Sequence, residues 1–404
     1  MDNLLDPASL TALRNALATA AAVATLPGTA ELALLTTGAL RPLRRRSASP
    51  GTSPPRLAVV VPAHDEEDGI ARTVRNLAGC AAEVASCAIV VVADNCTDRT
   101  AAVARAAGAR VLERDDRERS GKGHALAWAF DRLLREPFDA FVVVDADSVL
   151  EPGTLRAMAD RLALGADAVQ VPYGVSNPAA GMRARLMRVA LLAFNRLRPR
   201  GRAGLGLSCG ILGNGFALSR ATLEAVPYTA SSIVEDLEYH LRLVRAGRTV
   251  EYVAGGQVLA DMPVGARAAT QQRTRWEGGR LRMLTEHGPA LLRDLAAGRR
   301  RLAEPLLDLA LAPLALHVLL LALALCAATA AVRLYALAAL AVVGVHVAIG
   351  VAQGGASARD VGALALAPLY IAWKVAVLPA TIRQARRNSR WVRTTREPAQ
   401  EPCS

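Results

Sequence analysis

Aromatic residues make up only 4% of this 404-residue chain, and its basic charge comes with no zinc-finger or RNP-like pattern. A formal net charge of +12 and a pI of about 10.2 suit either nucleic acid or an anionic membrane face. With so few aromatics and neither motif, no nucleic-acid partner is expected. The six cysteines (Cys80, Cys87, Cys96, Cys209, Cys326, Cys403) form no CxxC pair, which suits free thiols in a reducing compartment. His64, His124, His240 and His287 have no ligand-like spacing.

What the chain does have is unevenly spread apolar sequence. Its mean hydropathy is +0.24, and the apolar residues gather in 10–40 and 305–381. Residues 309–332 are broken only by Pro313 and His317, and at about 20 residues per span they predict one transmembrane helix. Residues 334–352 predict a second. Residues 361–381 carry Pro368, Lys374 and Pro379, and are expected to stop short of a full crossing. Residues 16–40, with Pro27 and Glu31 inside, are too long and soft for a signal peptide and read as an anchor. Arg41, Arg44, Arg45 and Arg46 follow that anchor, and Arg383, Arg386, Arg387, Arg390, Arg393 and Arg396 close the chain. Positive flanks stay cytoplasmic, so both groups are expected inside. The implied organisation is a membrane anchor with basic stop (1–46), a linker (47–55), a cytoplasmic domain (56–300), a membrane or interfacial region (301–382) and a basic tail (383–404).

In the middle, strands and helices alternate. RLAVVVP (56–62), AIVVVAD (88–94), ARVLER (109–114) and AFVVVDAD (140–147) read as strands. Ile70, Val74 and Leu77 mark one helix face, and Leu126, Phe130, Leu133 and Leu134 another. This alternation predicts an α/β, Rossmann-like sheet with helices on both faces, whose ligands sit at the carboxyl ends of the strands. Acids fall there: Asp65, Glu66 and Glu67 after the first strand, Asp94 at the second, Asp145 and Asp147 at the fourth. One such acid is commonly a cap or turn residue. Several on one edge repel unless a cation or donors join them. Residues i and i+2 of a strand face one side, so Asp145-x-Asp147 aims two hard oxygen donors at one place, suited to Mg²⁺ or Mn²⁺ carrying a diphosphate. Lys122, between two glycines at a helix start, is placed for a phosphate, or else sits in a surface turn; the spacing is not a Walker A loop.

PAHDEE (62–67), VVADNCTD (91–98), SGKGHAL (120–126), DADS (145–148), VED (234–236) and QQRTRW (271–276) occur in that order, with apolar sequence just after. In this the chain resembles the membrane-bound, GT-A-fold family 2 inverting glycosyltransferases, the cellulose, chitin and hyaluronan synthase-like group with a D, D, D, QxxRW pattern. The resemblance covers about residues 56–290. It implies that Pro62, Asp65, Glu66 and Asp94 hold the nucleoside of a UDP-sugar, although most relatives carry Asn where this chain has Asp65. Lys122, Asp145, Gln272, Arg275 and Trp276 would contact the nucleotide sugar, and Asp147 with Asp145 would carry Mg²⁺ or Mn²⁺. Asp236, beside Glu235, would be the base. Asn214, Gly215, Phe216 and Trp276 would meet the acceptor. For Glu235-Asp236 the plain alternative is a charged first helical turn, and for QQRTRW an amphipathic interfacial helix with snorkelling arginine.

The expected activity is therefore transfer from a UDP-sugar to a saccharide or lipid acceptor at the plasma membrane, with the catalytic domain cytoplasmic and an accessory secretion subunit as a candidate partner. Processive synthesis of a β-linked polysaccharide, transfer of a single sugar, and a non-catalytic UDP-sugar sensor are the three readings. Intact Asp94, Asp145, Asp147, Asp236 and Arg275 speak against the sensor.

Overall fold

The computed structural model describes residues 7–43, 53–263 and 265–386. Arg44, Arg45 and Arg46, most of the linker and the tail beyond Arg386 lie outside the described residues. The strands are β1 (Leu57–Ala63), β2 (Cys87–Asp94), β3 (Arg110–Arg114), β4 (Ala140–Val143), β5 (Ser148–Leu150), β6 (Ala168–Gln170), β7 (Tyr173–Val175), β8 (Phe216–Ser219), β9 (Val250–Tyr252) and β10 (Val258–Ala260).

Seven of them form one sheet in the order β3-β2-β1-β4-β8-β6-β9. β1, β2, β3 and β4 are parallel, with Leu57 opposite both Cys87 and Ala140. β8 runs antiparallel between β4 and β6, so the sheet as a whole is mixed. A second sheet has the order β5-β10-β7.

The strands' alternating faces explain the layers. Val59 and Val61 pack with Ile70, Val74 and Leu77 of the Ile70–Ala81 helix. Ala58 and Val60 pack on the other face with Leu126, Phe130 and Leu133 of the Lys122–Leu133 helix. These branched and aromatic side chains are wholly buried or nearly so. Burying each contributes about 1.5–3 kcal/mol, so both helices are fixed against a rigid sheet. The carboxyl ends of β1, β2 and β4 therefore open on one edge.

Among the described residues, three helices are long and apolar enough to cross a membrane: Ala8–Leu40, Ala330–Gln353 and Ala358–Ala385. The first runs on through Pro27. The last is the stretch expected to stop short; its length and composition allow a full crossing. The single helix expected over 309–332 is instead broken. Helix ends at Ala310, Leu311 and Pro313 are extended, and Leu314–Ala324 leaves at 73°. Pro313 lacks an N–H, and its ring disfavours helix in the residue before it.

The N-terminal helix docks on Arg198–Gly204 through glycine. A Cβ on Gly201 would lie 2.2 Å from the Leu35 carbonyl oxygen, and one on Gly204 2.0 Å from that of Gly38. Close backbone approach of this kind needs small residues. Gly201→Ala should therefore cost about 1–3 kcal/mol by overpacking, read as a lower Tm of the detergent-solubilised protein.

Candidate active site

Lys122 opens its helix after Gly121, and its neighbour Gly123 explains how close it sits to the rest of the site. A Cβ on Gly123 would fall 2.3 Å from the Ala230 carbonyl oxygen and 3.2 Å from Glu235 Cβ. The glycine thus lets the Lys122 helix abut the segment leading into Glu235–Arg245. Lys122 Nζ donates to Asp145 Oδ1 and to the Gly213 carbonyl oxygen (2.5 Å). Burial works to lower the pKa of this ammonium, but Asp145, Glu235 and Asp236 together raise it, so Lys122 stays charged.

Gly213, at φ +79°, brings the 210–213 loop against the base pair of acids: a Cβ there would be 3.0 Å from Asp236 Oδ2. Asp236 Oδ1 accepts from the Leu237 amide at 2.8 Å. Burial pushes the Glu235 carboxyl up to about 7, against the pull of Lys122, and burial also raises Asp236. A buried and a half-buried carboxyl are thus adjacent at a helix start, within electrostatic reach of a lysine, an arrangement able to exchange a proton nearer neutral pH than free carboxyls can.

The Asp145-x-Asp147 pair lies in the turn after β4, which ends at Val143 instead of running on through Asp147 as expected. Both carboxylates still line the same cavity. The turn is braced by Asn214, whose Oδ1 accepts from the Asp145 amide (3.1 Å) and whose Nδ2 donates to Ser148 Oγ (2.8 Å). Gln170, fully buried, in turn holds the loop: its Nε2 donates to the Asn214 carbonyl (2.8 Å) and its Oε1 accepts from the Leu212 amide (2.9 Å). Tyr173 stands beside the acids. Burial, Asp147 and Asp145 raise its phenol pKa while Arg275 opposes them, which places Arg275 within electrostatic reach of the same spot.

Gln272, Arg275 and Trp276 share one face of the Ala266–Ala296 helix and line the cavity with Pro62, Glu66, Asp94, Lys122, Asp145, Asp147, Glu235 and Asp236. The cavity is large, about 2170 Å³, and continues past the helix to Glu31, His317 and His346 among the membrane helices.

Four expected site residues take other positions. Phe216 is 1% exposed on β8, inside the core beneath the sheet. Gly215, at φ +68°, lies where a Cβ would meet Val258 and Val171, and Asn214 spends its side chain on bracing. The cavity wall is formed instead by the preceding Gly210–Gly213. Asp65, at φ +53°, turns to the neighbouring loop, accepting from the Thr97 amide at 2.6 Å. Asp94 lines the cavity but is tied to buried Arg114 at 2.5 Å, which also reaches Asp116 at 2.9 Å. Arg114, Gln170 and Tyr173 escaped sequence reasoning; only Tyr173, a lone aromatic near a strand end, left a trace.

Residues 54–279 match the family described as "Glycosyltransferase like family 2". The chain belongs to glycosyltransferase-like family 2. Among curated proteins it is similar to the probable glycosyltransferase YdaM of Bacillus subtilis, 25% identical over 238 residues, which is 56% of this chain and 55% of that protein. It is also similar to the low-salt glycan biosynthesis hexosyltransferase Agl6 of Haloferax volcanii, 39% identical over 93 residues, 23% of this chain and 21% of that one. The matches thus span about half the length of the first relative and a fifth of the second. The solved mannosyltransferase PcManGT of Pyrobaculum calidifontis, in complex with GDP-Man and Mn²⁺, superposes with a TM-score of 0.55 at 20% identity. That superposition covers 93% of this chain and 100% of PcManGT, so this chain shares its fold over nearly all its length.

Proposed function

We propose that this glycosyltransferase moves a sugar from a UDP-sugar to an acceptor hydroxyl with inversion, forming a β-glycosidic linkage. The observation that carries the proposal is one shared cavity holding Lys122 with Asp145, Asp147, the Glu235-Asp236 pair, and Arg275 with Trp276. Asp236 accepts the proton of the acceptor hydroxyl as that oxygen attacks the anomeric carbon and the bond to the diphosphate breaks. Arg275, with a planar fork matched to phosphate oxygens, and Lys122 stabilise the charge that develops on the departing UDP. Trp276 offers an apolar face to the sugar.

Asp145 and Asp147 are hard oxygen donors on one cavity wall, beside a tyrosine that burial and their own charge keep protonated. This set fits Mg²⁺ or Mn²⁺, the latter being the ion bound by PcManGT. Such an ion neutralises diphosphate charge. Chelation with EDTA should abolish UDP release by the purified enzyme, and added Mn²⁺ should restore it; release unaffected by the chelator would contradict the assignment of Asp145 and Asp147.

The QQRTRW helix and a cavity with room for more than one sugar support a processive, cellulose, chitin or hyaluronan synthase-like reading. Transfer of a single sugar is the second reading, which the brief membrane region favours; sizing the product on a gel separates the two. The arginines after the N-terminal helix support a cytoplasmic catalytic domain at the plasma membrane.

A further inference from the structure

Where the cavity passes among the membrane helices its wall becomes charged. Glu31 of the N-terminal helix, Arg198 and Arg202 of the helix packed on it, Arg280 of the QQRTRW helix, and Glu304 and Asp308 all line it. Arg198 Nη2 bonds Glu31 (2.5 Å) and Asp308 Oδ1 (2.8 Å), Arg202 Nη2 bonds Asp308 Oδ1 (2.6 Å), and Arg280 Nη1 lies 3.2 Å from Asp308 Oδ2. Arg202 Nε bonds Glu304. Glu31, Arg198 and Arg202 are no more than 8% exposed. Ionisable groups at this depth are costly, and they mark polar paths more often than packing.

We propose that this inner end of the cavity is the acceptor subsite and that it takes a neutral, polyhydroxylated headgroup while excluding a phosphate-bearing one. The proposal rests on the glycosyl-transfer reading above. Three guanidiniums face three carboxylates, so the wall has no net charge. An arriving phosphate would meet Glu31, Glu304 and Asp308 at close range. It would also bring its own negative charge to a wall that holds no excess cation, leaving a buried charge uncompensated, which is strongly unfavourable. A hydroxyl brings no charge. Guanidinium has five N–H donors and carboxylate about four lone-pair sites, and the pairs occupy only part of these. Arg198 Nε is buried and has no partner among the described residues. Phe194, 38% exposed on the same wall beneath the Arg198 guanidinium, offers the apolar face that a pyranose ring requires. The same cavity joins this wall to Asp236.

The test uses the full chain in lipid nanodiscs, with Mn²⁺ and a UDP-sugar, and offers an alkyl β-glucoside or a polyprenyl phosphate as acceptor. The expected result is kcat/KM at least about tenfold higher for the glucoside, a floor well below the roughly 10⁴–10⁵-fold discrimination of sites built for hydroxyl hydrogen bonds. Phe194→Leu and Glu31→Gln should each raise the KM for the glucoside about tenfold, with UDP binding as the check that the variants fold. Phe194→Leu, at a half-exposed position, carries the test if Glu31→Gln does not fold. Preferred glycosylation of the polyprenyl phosphate overturns the proposal, as does a glucoside KM unmoved in the folded variants. Calorimetric binding of the glucoside needs no turnover. Its absence overturns the subsite alone, whereas glucoside binding without any sugar release from the donor overturns the transfer reading.

Discussion

Asp236→Asn lowers kcat by about 10³-fold, within the range ascribed to a positioned general base, and leaves UDP affinity within about twofold of the parent. The asparagine keeps the shape of the side chain and can still meet the Leu237 amide through its carbonyl oxygen, as Asp236 Oδ1 does. It cannot accept the acceptor's proton. Steady-state kinetics together with UDP titration check this; near-parental turnover would remove Asp236 from the reaction. The same site fixes a pH dependence. Burial raises both carboxyls, Glu235 to about 7. A base works when deprotonated, so kcat should rise with pH across a range above that of an ordinary carboxylate and level off above it. The rise should vanish in Asp236→Asn. A rate already flat between pH 5 and 8 would show that neither acid titrates in the reaction.

Arg275→Lys is the second large effect, a loss of about 10²-fold in kcat. The cation remains, but the planar fork does not, and a point charge cannot hold two diphosphate oxygens at once. Arg275→Ala should fall further. If the arginine acts, as proposed, on charge that develops as UDP leaves, the donor KM should move much less than kcat. A change confined to KM would mean that Arg275 only anchors the ground state.

β1 and β4 were legible because they are buried on both faces and read as unbroken apolar runs. The acids at three strand ends were legible because β1, β2 and β4 run parallel and deliver their loops to one edge. The antiparallel insertion of β8 was not, since FALS carries no mark of direction. Asn214 and Phe216 show the limit on site residues. A glycine-rich loop signals close backbone approach, yet it does not say which residues face the ligand. The register of β8 against β4 turns Phe216 into the core, and Asn214 is needed to hold the Asp145 amide. Asp65 illustrates a different limit, because its left-handed backbone aims the carboxylate at Thr97, and no periodicity reveals that. The break at Pro313 was open to reading: a proline in a 24-residue apolar run (309–332) can kink a helix or end it, and the 73° turn shows that it ends it. The charged wall among the membrane helices was the hardest to see. Its members lie between positions 31 and 308 and meet only in the folded chain.

The most direct test of the central claim is nucleotide release by the purified protein in detergent with Mn²⁺, across a panel of UDP- and GDP-sugars, with the anomeric configuration of the product read by NMR. Metal-dependent UDP release from one α-linked UDP-sugar, with a β-linked product, is the predicted result. Release from a GDP-sugar alone, or a product that retains the α configuration, would contradict it.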